Sequence, residues 1–294
     1  MPSRPTAAPL ALAVGVLLIS MVSYQFGASL AKHLFPAVGA QGATAYRLGL
    51  SALMLLLWRR PWRRSGLKRD WRVLWGYGLA MGAMNLVFYM SLRTIPLGLA
   101  VALEFTGPLA LALFGSRRLI DFVWIALVVA GLALLLPLRQ QVQPLDPAGV
   151  MYALAAGVGW ALYIVLGKKA GAAYGADTAT WGTAIGALLV IPFGIAHAGS
   201  AMLSPVLLPF ALGVAVLSSA LPYSLEIIAL TVLPARTFST LLSVEPAIAA
   251  VAGVALLDER LSLLQWLAIV AIIVAAAGTA LSVRKPLLTE PLPN

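Results

Sequence analysis

The chain contains no cysteine. That excludes disulfides, thiolate metal sites and cysteine nucleophiles, and it removes redox chemistry as a guide to compartment. Charge is nearly as scarce. Only 10% of the 294 residues are charged, against 61% hydrophobic, and the mean hydropathy is +0.95. His33 and His197 each stand alone at a helix end, so no His/Asp cluster offers a metal site and no metal is expected. No Walker loop, serine nucleophile elbow or paired-aspartate motif occurs. An ATP-driven pump is therefore not expected from this chain alone, nor is any cofactor. The net charge of +10 does not mark a nucleic-acid binder, because the basic residues sit in links between apolar runs and form no basic domain. No stretch reads as a soluble domain.

Apolar runs of membrane-spanning length fill the chain instead. A helix needs about 20 mostly apolar residues to cross a bilayer. Ten runs qualify, at 10–31, 42–59, 72–92, 97–115, 120–137, 148–167, 178–196, 206–230, 235–256 and 262–282. The first is too long for a typical signal-peptide core, so we read it as an uncleaved helix despite the weak cleavage pattern Ala28-Ser-Leu-Ala31. Lysine and arginine set the orientation. Fifteen fall on the side of the N-terminus, seven of them in the loop from Arg59 to Arg72; four fall on the other side, namely Lys32, Arg93, Arg139 and Arg260. This bias predicts an even number of spans with both termini in the cytoplasm.

The second half repeats the first. Thr94-Ile-Pro96 matches Val232-Leu-Pro234, Pro108 matches Pro246, and Asp121 matches Glu259, each at an offset of 138. Five spans per half is an odd number, so the copies must be inverted. The expected fold is an all-α integral membrane protein of ten transmembrane helices, with one repeat over 10–137, a second over 148–282 and a cytoplasmic tail at 283–294. In transporters built this way, the substrate site lies near the bilayer midplane where the repeats meet.

Four ionisable groups fall inside the apolar runs: Arg47, Glu104, Glu226 and Glu245. Such groups are costly in a bilayer and usually functional. The bland alternative is a structural pair, with Arg47 neutralising one glutamate. Pro108 adds to the anomaly at Glu104. Its nitrogen cannot donate to the carbonyl four residues back, and that carbonyl belongs to Glu104. Glu245 lies one residue before Pro246, so the two carboxylates occupy similar depths in equivalent helices, displaced by three residues. Tyr223 and Glu226 share a face just beyond Pro222, and Asn85 and Tyr89 share another. Candidates for substrate or proton binding are thus Glu104, Glu245, Glu226, Arg47, Asn85, Tyr89, Thr106 and Tyr223. Pro108, Pro222 and Pro246 are candidate helix breaks or gating points.

Several motifs carry a family resemblance. Gly27-Ala-Ser-Leu-Ala-Lys32, the stretch from Pro96 to Pro108, Ser116-Arg-Arg118, Leu221-Pro-Tyr-Ser-Leu-Glu226, Arg236-Thr-Phe238, Glu245-Pro-Ala247 and Leu257-Asp-Glu-Arg-Leu261 stand in the order found in the EamA branch of the drug/metabolite transporter superfamily. Within it they are most similar to bacterial exporters of threonine and homoserine. The resemblance runs from about residue 10 to 285. It implies two inverted repeats, the bacterial inner membrane, and efflux of small amino acids driven by an ion or proton gradient. The expected partners are the amino-acid substrate, protons and the lipid bilayer; a homodimer is compatible with the sequence. A zwitterion needs a carboxylate for its ammonium, supplied by Glu104 or Glu245, and donors for its carboxylate, supplied by helix-end amides or Arg47. The alternatives are export of another metabolite, other amino acids or drugs, then an intramembrane enzyme, then a passive channel.

Overall fold

The computed structural model describes residues 7–63, 71–114, 119–135, 145–222, 225, 229 and 241–282. All regular structure among them is helical. The first element, α1 (Ala7–Arg59), is interrupted at one residue, Gly39, with φ 67° and ψ 176°. Residues with a Cβ avoid that conformation, and a Cβ there would also run into the ring of His197. Two arms result, 7–38 and 40–59. The sequence reading left residues 32–41 between its first two apolar runs. The helix instead passes through Pro36, whose ring forfeits only the bond to the Lys32 carbonyl, and breaks at the glycine alone.

Three helices complete the first half: α2 (Trp71–Ser91), α3 (Leu97–Phe114) and α4 (Leu119–Leu135). α5 (Pro147–Tyr174) opens on Asp146, whose carboxylate accepts from the amides of Ala148 and Gly149. It continues past Lys168 and Lys169, beyond the expected end at 167, and stops at Gly175 with φ 55°. α6 (Thr178–Ala198) follows, then α7 (Leu208–Ala215), which widens into a π-helical turn at Val216–Ala220. The described chain ends with α8 (Glu245–Leu257) and α9 (Leu263–Ser282).

Among the described residues, four helical stretches are long and apolar enough to cross a bilayer: Leu12–Arg63, Trp71–Ser91, Pro147–Tyr174 and Thr178–Leu203. Shorter apolar helices lie beside them. The polarity of the molecule is that of a membrane protein. Leu12, Phe122, Val158, Leu188 and Val251 are all more than half exposed, whereas Gln25, Thr44, Arg47, Ser51 and Asn85 are buried. Apolar side chains outside and polar groups gathered inside is the arrangement a bilayer demands. Trp58, Trp62, Trp71 and Trp75 are exposed at the arginine-rich end, as aromatic side chains are at a membrane interface.

Helices of the first half mate chiefly with helices of the second. α1 lies against α6 and α7, α2 and α3 against α5, α3 against α8, and α4 against α9. The main core forms between the halves, from side chains such as Leu34, Phe88, Leu99, Ala249 and Ile272. At one point α3 and α5 touch backbone to backbone. A Cβ on Gly107 would overlap the Gly157 carbonyl, so only glycine permits the approach.

Candidate functional site

Pro222 cannot donate to the carbonyl four residues back, which is that of Ser218. The π-helical turn of α7 covers this residue, and Arg47 from the second arm of α1 fills the gap. Its Nη2 donates to the Ser218 carbonyl at 2.8 Å, its Nε to Ser219 Oγ at 3.1 Å and its Nη1 to Asn85 Oδ1 at 2.5 Å. Asn85 Nδ2 donates in turn to the Met81 carbonyl at 2.8 Å, which fixes the orientation of the amide. The rings of Tyr24 and Tyr89 stand 4.8 and 5.4 Å from the guanidinium carbon. Arg47 is wholly buried. Charge-assisted hydrogen bonds and ring faces replace the water it has lost.

Pro108 acts in α3 as Pro222 does in α7, but the outcome differs. The carbonyl it leaves without an amide belongs to Glu104. That oxygen faces α5 at Gly157, where a Cβ would stand only 2.6 Å from it. Only the backbone of Gly157 faces it there. Thr106, two residues on and so on another face, donates its hydroxyl to the Leu103 carbonyl at 2.6 Å.

The side chains of Glu104 on α3 and Glu245 on α8 are both buried, and Glu104 lies within electrostatic reach of both Glu245 and Arg47. Gln25 on the first arm of α1 donates its Nε2 to Glu245 Oε1 at 3.2 Å. Among the described residues none hydrogen-bonds the Glu104 carboxyl. Tyr89 is wholly buried, and its hydroxyl has no partner among the described residues.

The structure therefore brings together Arg47, Asn85, Tyr89, Glu104 and Glu245. Tyr223 and Glu226 lie outside the described residues. Pro222 is buried, and its carbonyl accepts from Ser20 Oγ at 3.2 Å. One expectation needs correcting. Glu245 was placed within a continuous span over 235–256, with Pro246 as a bend in it. A turn at 243–244 interrupts the helix, and Glu245 opens α8 with Pro246 in its first turn. Proline suits that position because the amide it lacks would have been unpaired anyway. The carboxylate consequently sits at the positive end of a helix dipole.

Sequence reasoning missed Ser218 and Ser219. The signal was present: the proline rule applied to Pro108 points, when applied to Pro222, to the Ser218 carbonyl. It also missed Lys32 and Glu259, which form an ion pair at 2.6 Å just past the C-terminal end of α8. Among the described residues no cluster of side chains could hold a metal ion.

A buried cation and two buried carboxylates, drawn from different helices to the middle of a lipid-facing bundle, define a polytopic carrier. The comparisons give the family. Residues 147–281 match the EamA-like transporter family. The threonine/homoserine exporters RhtA of Salmonella typhimurium (strain SL1344) and of Escherichia coli (strain K12) are each 52% identical over 285 residues, covering 97% of this chain and 97% of the relative. A solved crystal structure, 16% identical, superposes with a TM-score of 0.57 over 92% of this chain and 97% of that one, a likeness of fold alone. The chain belongs to the EamA-like transporter family, and it is a membrane transporter rather than an enzyme.

Proposed function

We propose that this chain is a secondary active exporter of small amino acids, threonine and homoserine first, working by proton antiport across the bacterial inner membrane. The observation that carries the reading is the pair Glu104 and Glu245, buried on different helices within one electrostatic field that also includes Arg47. One carboxylate holds the ammonium of the cargo. The other carries the proton that moves inward as the cargo leaves. Arg47, Asn85 and Tyr89 form the opposite wall of the site; Thr106, and Tyr223 and Glu226 outside the described residues, belong to the proposed set as sequence candidates. The relatives' names supply the substrate class.

The ten spans, the inverted repeats (10–137 and 148–282) and the cytoplasmic termini belong to the same proposal. Contacts at the helix ends support them. Ends expected outside the cell meet one another: Lys32 with Glu259, Gly39 with His197, Thr94 with Asp146. Ends expected inside do the same, as Trp71 does with Tyr174 and Trp181. The helix pairs α3–α8 and α4–α9 each join equivalent members of the two halves, as inverted repeats about one axis would.

Counterflow in proteoliposomes tests the reading. Labelled threonine is expected to accumulate against unlabelled threonine or homoserine, and to do so faster with an inward proton gradient. Exchange of other solutes with threonine ignored would refute the substrate; exchange indifferent to the proton gradient would refute the coupling.

A further inference from the structure

α1 carries Gln25, Ser29 and Lys32 at i, i+4 and i+7, which places them on one stripe of the helix. The stripe runs along α8. Gln25 reaches Glu245, the first residue of α8. Lys32 reaches Glu259, just past its end, where the Leu97 amide also donates to the same carboxylate at 2.9 Å. Between these ties the helices do not close. A groove of ≈ 420 Å³ opens between them, lined by apolar surface alone, from Val22, Phe26, Ile248, Val251 and the stem of Gln25 among others.

The outer tie is complete, and the inner one is not. An ionised carboxylate only accepts hydrogen bonds, so the end of the Gln25 amide that faces Glu245 must be Nε2. The other end, Oε1, is buried and has no partner among the described residues. Ser29 Oγ, one turn on, is also buried without a partner among the described residues. A buried acceptor left unpaired is costly, and native structures rarely keep one without a use.

We propose that Gln25 is a specificity-determining residue of the export site, its Oε1 accepting a hydrogen bond from the side-chain hydroxyl of the cargo while the cargo's ammonium rests on Glu245. This rests on the reading of the chain as an amino-acid exporter. The two polar atoms of an amide share one carbon, and the ammonium and hydroxyl of a 2-amino-3-hydroxy acid sit on neighbouring carbons. Both donors of such a cargo therefore face the carboxylate and the amide oxygen side by side. A cargo with hydrogen in place of the hydroxyl leaves Oε1 unsatisfied. Sites that hydrogen-bond a substrate hydroxyl reject the analogue lacking it, whereas purely apolar pockets barely discriminate.

The test is competitive counterflow in proteoliposomes, with threonine set against 2-aminobutyrate, the same skeleton without the hydroxyl. The wild type is expected to prefer threonine by about 10-fold or more. Gln25→Met, similar in length but without the acceptor, is expected to bring the ratio to within about two-fold of unity while 2-aminobutyrate still exchanges. Gln25→Asn, too short to serve both groups, should lower the ratio as well, and it stands in if the methionine variant does not accumulate. An unchanged ratio in either variant overturns the assignment of Gln25 alone. So does loss of all exchange in a folded Gln25→Met protein, because Gln25 would then merely hold Glu245. A wild type that exchanges neither compound overturns the amino-acid reading itself, and this inference with it.

Discussion

Arg47 and Glu104 are the two oppositely charged residues at the heart of the bundle, and their surroundings differ. The guanidinium donates to Ser218, Ser219 and Asn85 and lies between two tyrosine rings. The Glu104 carboxyl takes no hydrogen bond from the described residues. A proline frees a backbone carbonyl in each case. Near Arg47 that carbonyl is used to hold the side chain; near Glu104 it is covered by the bare backbone of Gly157. The lesson is a division of labour. The cation is built into the architecture and holds α1, α2 and α7 together. The anion is left with capacity to bind something that comes and goes.

Substitutions can break this comparison, in decreasing order of effect. Arg47→Met should cost about 3–5 kcal/mol of stability, because it strips three buried groups of one shared donor and removes a charge that offsets the carboxylates. Thermal unfolding in detergent would show it as a large drop in melting temperature together with lost transport. Arg47→Lys should recover little, since an ammonium cannot reproduce the guanidinium fork. A melting curve identical to wild type would mean that Arg47 is no keystone. On the other side, Gly157→Val should push α3 from α5 and cost about 1–3 kcal/mol through overpacking against the Glu104 carbonyl; the same melting assay reads it. Away from the site, Glu259→Gln should cost about 1–2 kcal/mol by weakening the links to Lys32 and the Leu97 amide, and a double-mutant cycle with Lys32→Met isolates the pair. The smallest effect belongs to Asp146, at the mouth of α5. The Thr94 hydroxyl, then the Ala148 and Gly149 amides, hold its carboxyl below the usual carboxylate range. Its contribution is therefore present at pH values above that range and is lost as the pH falls through its lowered value. The small melting difference between wild type and Asp146→Ala should close on acidification, whereas a gap that widened in acid would contradict the cap.

Much of this was legible in the sequence. Hydropathy marked the spans, and the rarity of charge inside them singled out Arg47, Glu104 and Glu245, which the fold does bring near one another. The one-turn spacing of Asn85 and Tyr89 put them on one face; that this face meets Arg47 was not legible. What could not be read depends on pairing across long distances in the chain. Nothing local to Gln25 tells that it meets Glu245, 220 residues away, or that Lys32 meets Glu259. The break before Glu245 was hidden because proline inside a span and proline opening a helix look alike until the preceding turn is seen. The gap between the first two runs was drawn too long for the related reason that Pro36 is tolerated near a helix end, whereas Gly39, with its positive φ, is not replaceable.

The division between a saturated cation and an available anion is tested most directly by Glu104→Gln. Its melting temperature and its threonine counterflow should be measured on the same purified protein. Stability is expected to stay at the wild-type value, because the carboxyl holds none of the described residues in place, while exchange falls by about 100-fold or more, in line with removal of a group that acts only on bound cargo or a proton. Wild-type exchange with unchanged pH dependence, or a collapse of stability matching that of Arg47→Met, would contradict the account.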